Sequence, residues 1–371
     1  MSGRADAAAR LPGELSAWLD AHADRLDAGQ ALAAEVVPRL AAAGLFKAGV
    51  PETLGGHGGA VPEAIEAIAA VAEHSVTAAF VFWGQRTFIE YLLQSPNQAL
   101  RARWIGRLLA GEFAGATGLS NAMKFLSGIE SLQIDATRLD AGWQLDGSLA
   151  WITNLRKEGF IAAAAVNMPD GAPPAVAAFI GSAADDADGV TRSADLDLIA
   201  LRGSNTAAVK LQGVRIGDEF LLHENARAWL PGVRPAFLGM QCGLSIGLAR
   251  AALDSAHALS TGMRGPLLPR IEALQAELED RADELKAGVA DGRFKTAAAP
   301  MFRLRIALAG IVQQAVMLEL QASGGKAYLQ DDGQNRGGFA RRWRESAFIP
   351  IVTPSLTQLQ VELDKHAQTQ A

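Results

Sequence analysis

Cysteine is almost missing: Cys242 is the only one in 371 residues. One thiol cannot close an internal disulfide, and no CxxC or His/Cys cluster offers zinc ligands, so a disulfide scaffold is excluded and no metal site is expected. This usage is read as a reducing, cytoplasmic setting. Positive charge is not in excess either. The 34 Lys and Arg face 40 Asp and Glu, a net charge of −6, which argues against nucleic acid as a partner, because that partner needs a basic face. No apolar run approaches the roughly 18 residues of a membrane span. The N-terminus carries early acidic residues and no apolar core, so it does not read as a signal peptide. Internal repeats and low-complexity linkers are absent.

What is present is enough apolar sequence, 49% of the chain, for two or three domains at roughly 150 residues each. Residues 1–45 are Ala- and Leu-rich and read as helices. Gly55, Gly56, Gly58 and Gly59 then interrupt the pattern with a loop. Helical pattern resumes from Pro62 to about Ala110. From Gly111 the texture changes to alternating small and apolar residues. Trp143, Leu145, Leu149 and Trp151 sit at odd positions around Asp146-Gly147, which predicts a hairpin with a type I′ turn at that dipeptide. Phe160–Val166 is a continuous apolar run that predicts a buried strand. Asp185–Asp188 reads as a loop, and 207–216 alternates like a strand. With no helices of crossover length between them, these strands predict an antiparallel sheet domain.

After about His223 helices return. Leu244–Ala258 is Ala-rich, Ile271, Leu274, Leu278, Ala282 and Leu285 form one amphipathic stripe, and Pro300–Leu320 reads as a third helix. The plan is α+β: an N-terminal helical domain (1–110), a central β domain (111–222) and a C-terminal helical bundle (223–371) of about four long helices. Within it, Trp151 and Thr153 lie two apart on one strand and point the same way. They offer a planar ligand a flat wall and one hydroxyl, or else form an ordinary aromatic plug in a sheet core.

Four segments resemble the acyl-CoA dehydrogenase superfamily, in the right order and spacing. They are Val50-Pro-Glu-Thr-Leu-Gly-Gly-His-Gly58, Leu145-Asp-Gly-Ser-Leu-Ala-Trp-Ile-Thr-Asn154, Leu201-Arg-Gly-Ser-Asn-Thr206 and Gln321-Ala-Ser-Gly-Gly325. The resemblance implies a flavoprotein, with FAD as cofactor and FMN as the other option, assembled as a dimer or tetramer. The flavin would lie between the β domain and the bundle. Trp151 would pack on its ring and Thr153 would face N5, with Leu119 and Ser120 approaching by backbone and Ser355 and Thr357 nearby. Gln321, Gly324 and Gly325 would approach the tail of a neighbouring subunit's cofactor, or serve only as a helix C-cap. Arg341, Arg342 and Arg344 would face a CoA phosphate or a flavin tail, or else serve as helix-capping charge and in inter-subunit pairs.

The departures from that family are as informative. Its dehydrogenases need a carboxylate to take the α-proton of a thioester. Thr353 stands where that Glu belongs, with Pro354 after it, and Pro235–Gly239, at the other position used for the base, carries no acid. Glu345 is the nearest acid in sequence, but it matches a structural pair with Arg344. The flavin-loop signature is altered over Leu119–Leu126, and Arg264 is out of register with the family's pyrophosphate Arg. The leading expectation is a flavin-dependent oxidoreductase acting on the CH–CH group of an acyl thioester, in fatty acid metabolism. Its partners would be acyl-CoA or another small molecule and an electron-transfer protein or flavin reductase. The alternatives are a two-component flavin monooxygenase, which needs a dry pocket but no α-proton base, and a catalytically silent ligand-binding relative.

Overall fold

A computed structural model describes residues 11–182, 189–329 and 338–370; the loop expected at Asp185–Asp188 lies outside them. Five helices come first: α1 (Gly13–Ala28), α2 (Ala33–Ala42), α3 (Val61–His74), α4 (Val76–Gln94) and α5 (Gln98–Leu109). The pattern that reads as continuous from Pro62 is thus cut into three. Ser75 makes the first cut as an N-cap, its Oγ accepting from Ala78 N–H at 3.2 Å. Asn97 makes the second, accepting from Leu100 N–H at 2.9 Å.

The central region holds β1 (Ala114–Thr117), a short helix α6 (Ser120–Leu126), β2 (Ile134–Arg138), β3 (Trp143–Ile152), β4 (Phe160–Val166), β5 (Ala175–Gly181), β6 (Val190–Arg192), β7 (Ala207–Ile216) and β8 (Leu221–His223). They form two four-stranded sheets, in the orders β1-β4-β5-β8 and β2-β3-β7-β6. Pairing between strands is antiparallel except for the parallel β1–β4 pair. The sheets pack face to face. Phe160, Ala162, Ala164 and Val166 of β4 join Leu145, Leu149 and Ile152 of β3 in one core. The alternate residues Ile161, Ala163 and Ala165 face the other way, into the core built by the helices. This two-sided burial is why β4 is an unbroken apolar run.

The hairpin expected at Asp146-Gly147 is not formed. Both residues lie inside β3, which runs unturned between β2 and β7 with a register slip at this point. Asp146 Oδ1 accepts from Gly213 N–H at 2.7 Å. A side chain at Gly147 would come within 2.1 Å of the Gln133 carbonyl, so the glycine serves a bulge and a close strand approach. The true β2–β3 turn is Leu139–Gly142, closed by Leu139 N–H on the Gly142 carbonyl at 3.1 Å.

The chain then enters α7 (Ala226–Leu259), α8 (Leu268–Ala290), α9 (Arg293–Thr296), α10 (Ala298–Ser323), α11 (Phe339–Phe348) and α12 (Leu356–Gln370). The stripe on α8 is buried as expected. Helix α7 begins well before Leu244, capped by Asn225, whose Oδ1 accepts from Ala228 N–H at 3.0 Å. By length and composition α7 and α10 are apolar enough to cross a bilayer, but most of that apolar surface is packed inside this fold. The first and last groups of helices share a single core.

Close contact between α3 and α7 depends on Gly239, Gly243 and Gly247, spaced by four along one face of α7. A Cβ at Gly247 would meet the Ala69 carbonyl oxygen at 2.0 Å, and one at Gly243 the Ile65 carbonyl at 2.8 Å. Gly247→Ala gains about 1 kcal/mol of helix propensity but must push two backbones apart, an overpacking cost of about 1–3 kcal/mol. The expected net result is a loss of stability, read as a lower midpoint in urea denaturation; a raised midpoint would show that the α3–α7 contact yields easily.

Candidate active site

A cavity of about 450 Å³ opens where the sheets, α4 and the last helices meet. Each wall comes from a different element. Helix α4 supplies Phe80 and Trp83, the end of β1 supplies Thr117, and α6 supplies Ser120 and Lys124. Trp151 and Thr153 come from the end of β3. The loop before β7 contributes Leu198–Leu201 and Thr206. Arg344, Ala347 and Phe348 of α11 and Ile351, Val352, Thr353, Ser355 and Gln358 close the far side.

The end of β3 is fixed by a knot of buried amides. Gln85 Oε1 accepts from Gly115 N–H (2.6 Å) and from Asn154 Nδ2 (3.0 Å), and Asn154 Nδ2 also reaches the Gly115 carbonyl (2.8 Å). Gln85 Nε2 donates to the Leu108 and Phe113 carbonyls at 2.9 and 3.0 Å. Asn154 has φ of 60°, a left-handed turn that asparagine tolerates better than most residues. It swings the chain away just after Trp151 and Thr153.

Those two residues have opposite environments. Trp151 is 62% exposed and presents its indole at the cavity. Thr153 is buried, and its hydroxyl is already engaged. It donates to the Ser204 carbonyl at 3.2 Å and accepts from Thr206 Oγ1 at 3.2 Å, which leaves one lone pair to accept from a ligand. Opposite, Phe80 stacks on Trp83 with centroids 5.4 Å apart and meets Phe348 edge-on at 4.7 Å. The Trp83 indole is held by the Phe237 carbonyl at 3.2 Å.

Ser120, Trp151, Thr153, Thr353 and Ser355 therefore converge on one cavity. The other expected residues do not line it. Leu119 is buried behind Ser120, and the segment expected as a flavin loop is the helix α6. Thr357 faces solvent. Gln321 lies on a separate groove with Arg270, Glu277 and Gln313. Gly324 packs against the Arg264 guanidinium, which stands 2.8 Å from where a Cβ would project. Gly325 has open space around it. Phe80, Trp83, Lys124, Phe348 and Gln358 give no local sequence signal, since aromatic and polar residues on helices look alike whether they face a core or a cavity.

Glu345 stays out of the cavity. It is fully buried, and its Oε1 and Oε2 accept from Val76 N–H (3.1 Å) and Arg341 Nη1 (2.8 Å). Burial pushes its carboxyl up and the Arg341 charge opposes that. The arginines of α11 make ion pairs: Arg341 with Asp24 and Glu345, Arg342 with Glu319, and Arg344 with Asp27. Among the described residues, none that lines the cavity is a carboxylate, and Lys124 and Arg344 are the charged members of the lining.

Residues 15–112 match the family model "Acyl-CoA dehydrogenase, N-terminal domain". Benzylmalonyl-CoA dehydrogenase of Aromatoleum aromaticum is 26% identical over 268 residues, 71% of this chain and 70% of that protein. The glutaryl-coenzyme A dehydrogenase glutaryl-CoA complex superposes with a TM-score of 0.75 at 18% identity, covering 96% of each chain. The chain is thus similar in sequence to acyl-CoA dehydrogenases and has the acyl-CoA dehydrogenase fold. Another solved structure of this fold is dibenzothiophene monooxygenase, TdsC, from Paenibacillus sp. A11-2, with a TM-score of 0.77 at 18% identity, covering 99% and 97%; TdsC has also been solved with FMN and indole. One fold thus hosts both a dehydrogenase and a monooxygenase, and the residues of the cavity must discriminate between such chemistries.

The cavity shape depends on α1 through Asp27, which is completely buried. Its Oδ1 accepts from Leu201 N–H at 2.9 Å and its Oδ2 from Arg344 at 2.6 and 3.0 Å, so one carboxylate fastens two walls. Asp27→Ala leaves a buried N–H and a guanidinium without partners and is expected to cost about 2–4 kcal/mol in unfolding free energy. Asp27→Asn is expected to cost less, because its side-chain oxygen still accepts from Leu201. Equal losses in denaturant titrations would assign the effect to the ion pair alone.

Proposed function

We propose that this protein is a flavin-dependent oxidoreductase and that a flavin ring lies against Trp151 in the cavity. The observation that supports it is an indole left exposed on one wall of a superfamily-fold cavity, with a hydroxyl oxygen two residues on. A flat, apolar, wide-faced side chain suits a planar ring, and Thr153 keeps a lone pair available beside it. FAD would extend to the Arg264–Gly324 corner of a second copy of this chain, the role the resemblance implies for Gln321, Gly324 and Gly325. FMN would need only the cavity.

The reaction is best read from what the wall omits. Removing an α-proton from a thioester needs a base of suitable pKa within hydrogen-bond reach, and among the described residues the lining carries no carboxylate. The Thr353 hydroxyl is far too weak an acid to serve as one at neutral pH. We therefore rank oxygen activation first, as in a two-component monooxygenase. A bound reduced flavin supplies the electrons for dioxygen. The protein's own part is to exclude water with Phe80, Trp83 and Phe348, and to orient substrate with the hydroxyls of Ser120, Thr353 and Ser355. Thioester dehydrogenation is the second reading, favoured by the sequence similarity to benzylmalonyl-CoA dehydrogenase. It requires a base from outside the lining.

Visible spectroscopy decides between them. The protein is expected to take up FMN or FAD, and Trp151→Ala to weaken that uptake by about fivefold, the equivalent of roughly 1 kcal/mol for one aromatic contact. Anaerobic addition of acyl-CoA thioesters is expected to leave the flavin band unbleached, while reduced flavin and oxygen support turnover. Bleaching by a thioester would reverse the ranking, and failure to take up either flavin would remove both readings.

A further inference from the structure

The arginines this fold buries come with carboxylates. Arg86 meets Glu90 at 2.8 Å, Arg341 meets Glu345 at 2.8 Å, and Arg342 meets Glu319. Arg305 on α10 departs from this. It is fully buried, yet among the described residues it makes no salt bridge, and its Nη1 has no hydrogen-bond partner. Its Nε donates to Gln241 Oε1 at 3.2 Å and its Nη2 to the Ile349 carbonyl at 2.7 Å. The neighbouring Cys242 thiol does not balance the charge, since burial pushes its pKa up to about 11 and keeps it neutral.

Two hydrogen bonds do not call for a full charge, and an unpaired buried charge is costly. The connections of Arg305 lead to the cavity. Gln241 Nε2 donates to the Thr353 carbonyl at 3.0 Å, and Ile349 begins the segment that lines the wall with Ile351, Val352 and Thr353. The two ionisable residues of the lining, Lys124 and Arg344, are also cations. Their partners Glu130 and Asp27 lie outside the lining. Lys124 and Arg344 thus have counter-ions directly behind the wall, whereas Arg305, two hydrogen bonds behind Thr353 through Gln241, has none among the described residues.

We infer that the substrate is an organic acid whose acid group is bound at the Thr353 end, and that Arg305 sets this preference. This rests on the reading of the cavity as the substrate site. Arg305 acts through Gln241 and the 349–353 segment and through its field, which low-dielectric surroundings weaken less than water would; it is a positioning residue that also selects charge. The opposed possibility is a structural peg that only ties α7, α10 and this segment together, in which case the charge on the ligand would be irrelevant.

Octanoate and octanamide are nearly isosteric and differ in charge. Calorimetric titration of the flavin-loaded protein is expected to show octanoate bound about tenfold more tightly. Arg305→Lys is expected to keep that ratio and Arg305→Gln, which retains a donor without charge, to bring it close to one, with thermal unfolding confirming that each variant is folded. Octanoate binding no better than octanamide in the unmodified protein overturns the inference without reference to any variant, as does an Arg305→Gln protein that keeps the preference. If flavin binds and neither probe does, this inference fails alone. If neither flavin nor probe binds, the reading of the cavity fails with it.

Discussion

The Gln85 side chain holds the molecule's plan together. Its amide bonds to the end of α5, to the start of β1 and to Asn154 just beyond β3. All but the Phe113 carbonyl are buried, so most missing bonds would leave an unpaired polar atom in a dry interior, which is far more costly than the modest net value of the bond itself. Such a network tolerates one arrangement. It sets α4, with Phe80 and Trp83, at a fixed distance from the strand end that carries Trp151 and Thr153. The cavity is the space left between them.

Charge is arranged around this cavity by the same logic of pairing behind a wall. Asp27, Glu319 and Glu345 are all buried and all engaged with arginines of α11. They brace the helix that carries Arg344 and Phe348, and none reaches the ligand space. Among the described residues, acids are therefore plentiful near the site and absent from its lining. That arrangement disfavours proton abstraction from a substrate while leaving an apolar, aromatic chamber in which water competes poorly.

Much of this was legible in the chain. That Trp151 and Thr153 line one cavity is readable because period-2 spacing fixes their common direction, and Thr353, singled out from the sequence, lines the same cavity. The unbroken Phe160–Val166 run identifies a doubly buried strand. The errors have physical causes as well. Asp146-Gly147 satisfies a turn and a bulge equally, and only the neighbouring strands decide which forms. Prolines at 231 and 235 hide the first part of α7, from Ala226 to Gly243, about five turns, although both sit inside that helix. Phe80, Phe348, Gln358 and Arg305 could not be assigned from sequence, since their roles follow from which distant elements meet.

The Asp27 clamp ties the fate of the first helix to the occupancy of the site. Leu201 and Arg344 both line the ligand space, and both are held by a residue of α1. A ligand that orders those two walls raises the free energy needed to detach α1 by the same amount that α1 contributes to ligand affinity, because coupling between two binding events is reciprocal. The first helix is then an intramolecular effector: it never meets the ligand, but its docking and the ligand's binding are two sides of one equilibrium.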